Sequence, residues 1–312
     1  MTSSLLQRSQ LQPYQQRMIQ LAQSIPSMGL FMEPGLGKTV TALTIISEQF
    51  KGKTLVVAPK RVAENVWTDE VKKWQHLHTL KLSKVLGTAS QRLTALKQNS
   101  DIYVVNLENF VWLLETGVTF QNLVIDESSR FKDPSTKRFK ILKKHLRMFD
   151  RKLILTGTPS PQGVGDLWSQ VGILDLGSRL ESSLTKFRDK YMMPDQMNRH
   201  TRVVYSWKPK PGTVDVIQQK ISDICFSLKA EDYLEMPACK KVTHDLEMSK
   251  QEVNHYETLK KELVLDIEDQ AITAPTAAVL AGKLLQFTSG ALYTEEGDWI
   301  PTNNAKLEFL ES

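Results

Sequence analysis

Two glycines, a lysine and a threonine lie close together between an apolar run and a segment that can form a helix, in the stretch Glu33-Pro34-Gly35-Leu36-Gly37-Lys38-Thr39. Gly35 and Gly37 would let backbone N–H groups approach an anion closely, because neither residue carries a Cβ. A helix that begins near Lys38 would point its positive dipole end at the same anion. The Lys38 ammonium would neutralise the β- and γ-phosphates of a nucleotide, and the Thr39 hydroxyl would hold Mg²⁺. The stretch therefore predicts a phosphate-binding loop, with Met32 at the position of the first glycine in the usual signature.

Two adjacent carboxylates, Asp126 and Glu127, follow a second apolar run. In a nucleotide hydrolase, Asp126 would hold Mg²⁺, usually through water, and Glu127 would polarise the attacking water. Either motif has an ordinary explanation by itself, because many strands end in Asp-Glu and a glycine-rich turn can simply join a strand to a helix. Their occurrence in this order favours nucleotide hydrolysis.

A third stretch, Leu155-Thr156-Gly157-Thr158-Pro159, ends another apolar run with two hydroxyls and a glycine. Small polar side chains at this position could sense the state of the nucleotide and transmit it. An ordinary turn between a strand and a loop would have the same composition. Thr158 is also a candidate contact to nucleic acid.

Strands are predicted to alternate with helices as far as residue 160. Apolar runs of strand length, such as residues 54–58, predict a parallel sheet that is covered by helices on both faces. Ligands of such sheets bind beyond the carboxyl ends of the strands, so the polar clusters that follow the strands should meet at one edge. These clusters are residues 33–39, 59–61, 126–129 and 156–159. Beyond Pro161 the pattern predicts mostly helices, with a loop or small insertion at 193–211 and a strand at 240–246.

The composition is that of an ordinary globular protein of 312 residues, with 41% hydrophobic and 24% charged side chains. No apolar run reaches the roughly 18 residues of a membrane span, so no membrane partner is expected. Cys225 and Cys239 provide neither a disulfide framework nor a metal quartet, which indicates a reducing, cytoplasmic location. The formal net charge of +5 is compatible with binding to nucleic acid.

Residues 131–152 hold much of the positive charge, because nine Lys and Arg side chains against two Asp give a net charge of +7. Opposite an apolar face, the predicted helix in this segment presents Lys137, Lys140, Lys144 and Arg147. Such a pattern is typical of a solvated helix surface. It also suits contact with the phosphate backbone of a nucleic acid, which would depend on salt and not on base sequence. A second candidate contact follows the strand at 54–58 and consists of Lys60 and Arg61.

These motifs, in this order, resemble those of the Swi/Snf family of DNA translocases in helicase superfamily two. Upstream of the glycine loop, Leu11-Gln12-Pro13-Tyr14-Gln15 is similar to the family's adenine-side motif, in which Gln15 would read adenine. The most distinctive match is the stretch at 155–159, which Leu167-Trp168 follows at the familiar distance. The sequence departs from the family at Ser128-Ser129, where a small residue and a His usually link the acidic pair to the hydroxyl motif.

The resemblance implies an α/β fold, in which residues 1–175 form a RecA-like ATP-binding lobe with a parallel sheet flanked by helices. Residues 176–312 would form a mostly helical extension that leads toward a second lobe. The implied function is that of a motor lobe, an ATP hydrolase that couples hydrolysis to movement on duplex DNA. ATP and Mg²⁺ would be its ligands, and a second RecA-like lobe or a complementary subunit would be its partner. The motifs of that second lobe, including its arginine fingers, are absent from this sequence, so the isolated chain should be poorly active.

The resemblance also implies a role for each site residue. Lys38, Asp126 and Glu127 would be catalytic, and Thr39 and Asp126 would hold Mg²⁺. The nucleotide would contact Gln15, Glu33, Pro34, Gly35, Leu36, Gly37, Lys38 and Thr39. Two other functions stay open, namely a nucleotide-dependent interaction module without turnover and an RNA helicase lobe of another branch. Turnover separates the first from the motor lobe, and stimulation by duplex DNA or by RNA separates the second.

Overall fold

A computed structural model describes residues 5–198, 201–234, 242–262, 264–267, 270–273, 276–294 and 297–311. The contacts divide the chain into two compact units, Met1–Met236 and Pro237–Ser312. The lobe boundary at residue 175, which the resemblance implies, stays a prediction. A strand within residues 176–236 joins the main sheet.

The strands of the first unit are Ser27–Met32 (β1), Thr54–Ala58 (β2), Leu82–Val85 (β3), Ile102–Asn106 (β4), Asn122–Asp126 (β5), Arg151–Thr156 (β6), Met192–Met197 (β7), Val204–Pro209 (β8) and Cys225–Leu228 (β9). Seven of them form one sheet in the order β3-β4-β2-β5-β6-β1-β9. Every neighbouring pair in this sheet is parallel, which confirms the predicted fold class. The carboxyl ends of β1, β2, β5 and β6 therefore lie along one edge.

The helices of the first unit are Pro13–Leu21 (α1), Lys38–Gln49 (α2), Trp67–Lys73 (α3), Ala89–Lys97 (α4), Leu107–Glu115 (α5), Lys137–His145 (α6), Leu167–Asp175 (α7), Leu184–Tyr191 (α8) and Thr213–Ile221 (α9). They cover both faces of the sheet. In β2, Leu55 and Val57 belong to one hydrophobic core, and Val56 and Ala58 belong to the other. Helices α1–α3 pack on the core that contains Val56, and α4–α9 pack on the opposite core. Because both faces are covered, β2 is buried at all five positions.

The segment at 193–211, predicted as a loop or small insertion, contains an antiparallel hairpin of β7 and β8. Most of β7 is exposed, so its residues lack the alternation of apolar and polar side chains that marks a half-buried strand. Its register also shifts between Pro194 and Met197. The prolines and polar residues that suggested a loop are therefore compatible with an exposed hairpin.

The second unit contains the helices Lys250–Glu262 (α10), Ala277–Thr288 (α11) and Ala305–Glu311 (α12), and the strands Val264–Ile267 (β10), Gln270–Thr273 (β11), Ala291–Tyr293 (β12) and Trp299–Pro301 (β13). A small core joins Leu259, Phe287, Leu292 and Ile300. Part of the strand predicted at 240–246 lies outside the described residues, and residues 242–249 form neither helix nor strand. Within the described ranges, no helix is long and apolar enough to cross a bilayer.

Candidate nucleotide site

The loop between β1 and α2 has the backbone geometry of an anion cradle. Gly35 and Gly37 have φ values of +88° and +72°, a region that side chains with a Cβ seldom enter. A Cβ on Gly37 would also lie 2.3 Å from Nε2 of Gln15. No side chain caps the start of α2, so its first N–H groups remain available to an anion. The loop therefore fits the phosphates of a nucleotide.

The Lys38 side chain folds back into this loop, where its Nζ donates a hydrogen bond to the carbonyl of Met32 over 2.6 Å. Burial lowers the pKa of Lys38, and nearby carboxylates, above all that of Asp126, oppose this shift. Gly157, after β6, lies against the same loop, since a Cβ there would stand 3.1 Å from Pro34 and 3.7 Å from Nζ of Lys38. The ammonium thus lies where the loop approaches the ends of β5 and β6.

Asp126 ends β5 and Glu127 follows it in a left-handed conformation with φ +60°. The carboxylate of Asp126 accepts a hydrogen bond from the Trp67 indole over 3.0 Å. Burial raises the pKa of Asp126, while the Trp67 hydrogen bond lowers it. A left-handed residue with a Cβ is strained by about 1 kcal/mol or more, and such strain is often found at functional sites.

Two hydroxyls fix the Glu127 carboxylate. Its Oε1 accepts hydrogen bonds from Thr156 over 2.7 Å and from Ser129 over 2.5 Å. The backbone N–H of Thr158 donates to the Thr156 hydroxyl over 3.1 Å. The hydroxyl motif after β6 is therefore joined directly to the acidic pair, although the sequence lacks the His that usually makes this link.

The side chains available to Mg²⁺ suit an ion that shares its ligands with phosphate. In the described residues the Thr39 hydroxyl makes no hydrogen bond, so it is free to bind a cation. Asp126 has one hydrogen-bonding side chain, Trp67, which leaves lone pairs for a metal-bound water. The same described ranges contain no group of three or more His, Cys, Asp or Glu that could enclose a metal. Mg²⁺ commonly binds through one or two protein oxygens together with substrate phosphates.

Gln15 attaches helix α1 to the glycine loop. Its Nε2 donates to the carbonyl of Leu36 over 3.1 Å, and its Oε1 accepts from the backbone N–H of Gln12 over 2.8 Å. The preceding residue, Tyr14, packs against Tyr233 with ring centroids 4.7 Å apart. Gln15 is thus placed beside the loop, as expected for a residue on the adenine side, and its amide is already hydrogen-bonded within the protein.

The segment after β9 also contacts the glycine loop, which the sequence did not indicate. Glu33 accepts a hydrogen bond from the backbone N–H of Ala230 over 2.7 Å. The Leu234 side chain lies 3.6 Å from the position that a Cβ on Gly35 would occupy. These contacts link residues about 200 positions apart in the chain, so no local sequence pattern could reveal them.

A sequence model of the SNF2-related domain matches residues 14–288. The chain belongs to the SNF2-related family. Its relatives include putative protein p41 of Acyrthosiphon pisum secondary endosymbiont phage 1, 32% identical over 317 residues that cover 96% of this chain and 68% of p41. The ATP-dependent helicase BRM of Arabidopsis thaliana is 30% identical over 189 residues, which cover 55% of this chain and 8% of BRM. The chain therefore spans only a small part of the longer SNF2-related relatives.

Solved structures confirm the RecA-like fold of this SNF2-related chain. The SWI2/SNF2 ATPase core of Sulfolobus solfataricus in complex with double-stranded DNA aligns with a TM-score of 0.57 and 23% sequence identity. The alignment covers 81% of this chain and 52% of that core, so the chain spans about half its length. A second structure of the Sulfolobus core domain gives a TM-score of 0.52 at 22% identity.

The basic side chains that the sequence singled out are exposed. Lys60 and Arg61 follow β2 and Thr158 follows β6, at the same edge of the sheet as the glycine loop. On α6 the lysines Lys137, Lys140 and Lys144 face solvent, as does Lys143, and the apolar side is buried as expected. Lys137 forms an exposed ion pair with Glu115 over 3.7 Å. This geometry is compatible with nucleic-acid contact and with a solvated surface.

Proposed function

We propose that this chain is the ATP-binding motor lobe of a Swi/Snf-type DNA translocase, in which ATP hydrolysis is coupled to movement on duplex DNA. One observation carries the proposal: Lys38 of the glycine loop lies within electrostatic reach of Asp126 and Glu127, and Glu127 is hydrogen-bonded to Thr156. This arrangement brings together the glycine loop, the acidic pair and the hydroxyl motif. Membership of the SNF2-related family supports ATP as the nucleotide.

Each residue has a distinct task in this proposal. The N–H groups at the start of α2 and the Lys38 ammonium bind and orient the phosphates. Thr39 and Asp126 hold Mg²⁺, which neutralises negative charge on the phosphates when it is bound. Glu127, fixed by Thr156 and Ser129, orients the attacking water and accepts its proton. Gln15 lies beside the loop and would recognise adenine after its amide exchanges partners.

Duplex DNA is the proposed nucleic acid, because the chain is SNF2-related and the Sulfolobus core with this fold was solved with double-stranded DNA. The exposed basic residues at the sheet edge and on α6 would contact its phosphates. A lobe that uses ATP and DNA would act in the cytoplasm. A second RecA-like lobe or a complementary subunit would complete the motor.

Replacing Lys38 with alanine tests the nucleotide site. We expect Mg-ATP affinity to fall by about 10- to 100-fold, since a hydrogen bond to a charged group typically contributes about 1.5–3 kcal/mol. The fold should persist, because the hydrogen bond of Lys38 is to the backbone carbonyl of Met32, and Lys38 is not one of the apolar side chains of the core. Calorimetric titration with Mg-ATP measures the affinity, and circular dichroism measures the fold.

Lys51→Ala serves as the matched control, because Lys51 is exposed beyond the opposite end of α2. Its Mg-ATP affinity should equal that of the parent. If Lys38→Ala binds Mg-ATP as tightly as Lys51→Ala does, the glycine loop is not a phosphate site.

Neutralising three of the four lysines on α6 tests the proposed DNA contact. We expect duplex DNA to bind weakly and without base specificity, and Lys137→Gln, Lys140→Gln and Lys144→Gln together should weaken binding further. The slope of log affinity against log salt should become shallower by about one unit for each lost phosphate contact. Fluorescence anisotropy at several salt concentrations, with duplex DNA and with RNA, measures the salt dependence of the affinity and the preference between the two nucleic acids.

A second triple variant removes the same charge elsewhere, at the exposed lysines around Glu181, namely Lys186, Lys190 and Lys220. It should keep the parent's slope. Equal slopes in both triple variants would make α6 a solvated surface, and tighter binding of RNA than of duplex DNA would favour the RNA helicase alternative.

A further inference from the structure

Gln170 on α7 is a fully buried polar side chain, at 0% exposure, and its whole amide is hydrogen-bonded. Its Oε1 accepts a hydrogen bond from the Ser128 hydroxyl over 2.8 Å. Its Nε2 donates to the carbonyl of Pro159 over 2.5 Å and to that of Asp166 over 2.9 Å. Ser128 is also fully buried. One amide thus bridges the segment after β5 and the loop after β6.

This bridge closes a ring of contacts around Glu127. Ser128 directly follows Glu127, and Pro159 lies three residues after Thr156, which donates to the Glu127 carboxylate. Glu127 is therefore tied to the loop after β6 twice, once through Thr156 and once through Ser128 and Gln170. A shift of Glu127 must move that loop or break one of these buried hydrogen bonds, and leaving buried polar atoms without partners is costly.

We propose that Gln170 is a positioning residue that couples the occupancy of the nucleotide site to the loop at 157–166. The inference rests on the proposed function, because it assigns a route by which the ATP site acts on the loop that follows β6. That loop carries the exposed Thr158, one of the candidate contacts to nucleic acid. The bridge supplies a second link between the acidic pair and the hydroxyl motif in a chain that has Ser129 where the family usually has His.

A neighbouring residue separates coupling from simple packing. Ser169 is also on α7 and buried, and its hydroxyl donates to the carbonyl of Lys132 over 2.7 Å. Ser128→Ala and Ser169→Ala each remove one buried hydroxyl. Each also removes one neutral hydrogen bond in which a residue of α7 takes part, Gln170 in the first variant and Ser169 in the second. Only the Ser128 bond lies on the path between Glu127 and Pro159. A purely structural role would make the two variants behave alike.

Amide hydrogen exchange of the full chain, with and without Mg²⁺ and a non-hydrolysable ATP analogue, measures the coupling. In the parent, the ligand should slow exchange at residues 35–41 and also at 158–166. In Ser128→Ala, protection at 35–41 should persist, while the slowing at 158–166 should decrease by about fivefold, the factor that one neutral hydrogen bond typically contributes. Ser169→Ala should respond like the parent.

Gln170→Glu provides a second variant that does not depend on Ser128. It keeps the size of the side chain and one acceptor for Ser128, but it places an acceptor opposite the carbonyls of Pro159 and Asp166. The slowing of exchange at 158–166 should therefore decrease in this variant as well. Unchanged protection at 158–166 in Ser128→Ala, or no protection there in the parent, would overturn the role of Gln170 alone. Absence of protection at 35–41 in the parent would overturn the nucleotide site itself and the coupling with it.

Discussion

Glu127→Gln is expected to retain Mg-ATP and to lose turnover by about 10²–10⁴, the usual contribution of a positioned general base. Glutamine has the same size as glutamate, and its amide oxygen can still accept from Thr156 and Ser129. The strain of the left-handed conformation is also unchanged. Only the ability to polarise water and accept its proton is removed, so Mg-ATP affinity should stay within about twofold, since that carboxylate acts on water.

The measurement compares phosphate release at saturating Mg-ATP with affinity from calorimetric titration. Glu115→Gln is the control, because Glu115 ends α5, is exposed and lies outside the proposed site. The control should match the parent in both assays. If Glu127→Gln hydrolyses ATP at the parent's rate, another residue orients the water and the assignment of Glu127 is wrong.

Addition of a matching second RecA-like lobe, fused or in trans, is expected to raise the turnover of this chain by about 10³–10⁵, the typical contribution of an arginine finger. The family resemblance implies that the arginine motifs of a second lobe are absent from residues 1–312. A nucleotide on one lobe alone also remains in water, where electrostatic stabilisation of the transition state is weaker. The isolated chain should therefore bind Mg-ATP, hydrolyse it very slowly and fail to translocate.

Steady-state phosphate release, with and without duplex DNA, tests this expectation before and after the second lobe is supplied. DNA should stimulate the completed motor and have little effect on the isolated chain. Turnover near the roughly 10 s⁻¹ of a typical enzyme, from a monodisperse monomer, would contradict it. An arginine within residues 1–312 would then have to act as the finger.

The sequence predicted those parts of the fold that local patterns encode. Buried parallel strands are continuous apolar runs, as in Thr54–Ala58, and each is followed by polar residues at its carboxyl end. Because parallel strands share their direction, the clusters at 33–39, 126–129 and 156–159 had to meet at one edge. The topology of the sheet confirms that inference.

Contacts between distant segments could not be predicted in this way. Strand β9 has only four residues and owes its place to pairing with β1, and the bond between Glu33 and Ala230 spans 197 positions. The sequence contains one indication of the hydrogen bond between Ser128 and Gln170, namely a glutamine within the largely apolar sequence of α7. A buried polar side chain in such a helix needs a partner, but its identity depends on the tertiary fold.

A crystal structure of the Glu127→Gln chain with Mg-ATP tests the central claim most directly, because this variant should bind the nucleotide without consuming it. We predict that the triphosphate lies along the backbone N–H groups of residues 35–39, with Lys38 against the β- and γ-phosphates. Mg²⁺ should lie between Thr39 and Asp126, and adenine should lie toward Gln15. Nucleotide bound elsewhere on the chain, or no bound nucleotide at saturating Mg-ATP, would contradict the account.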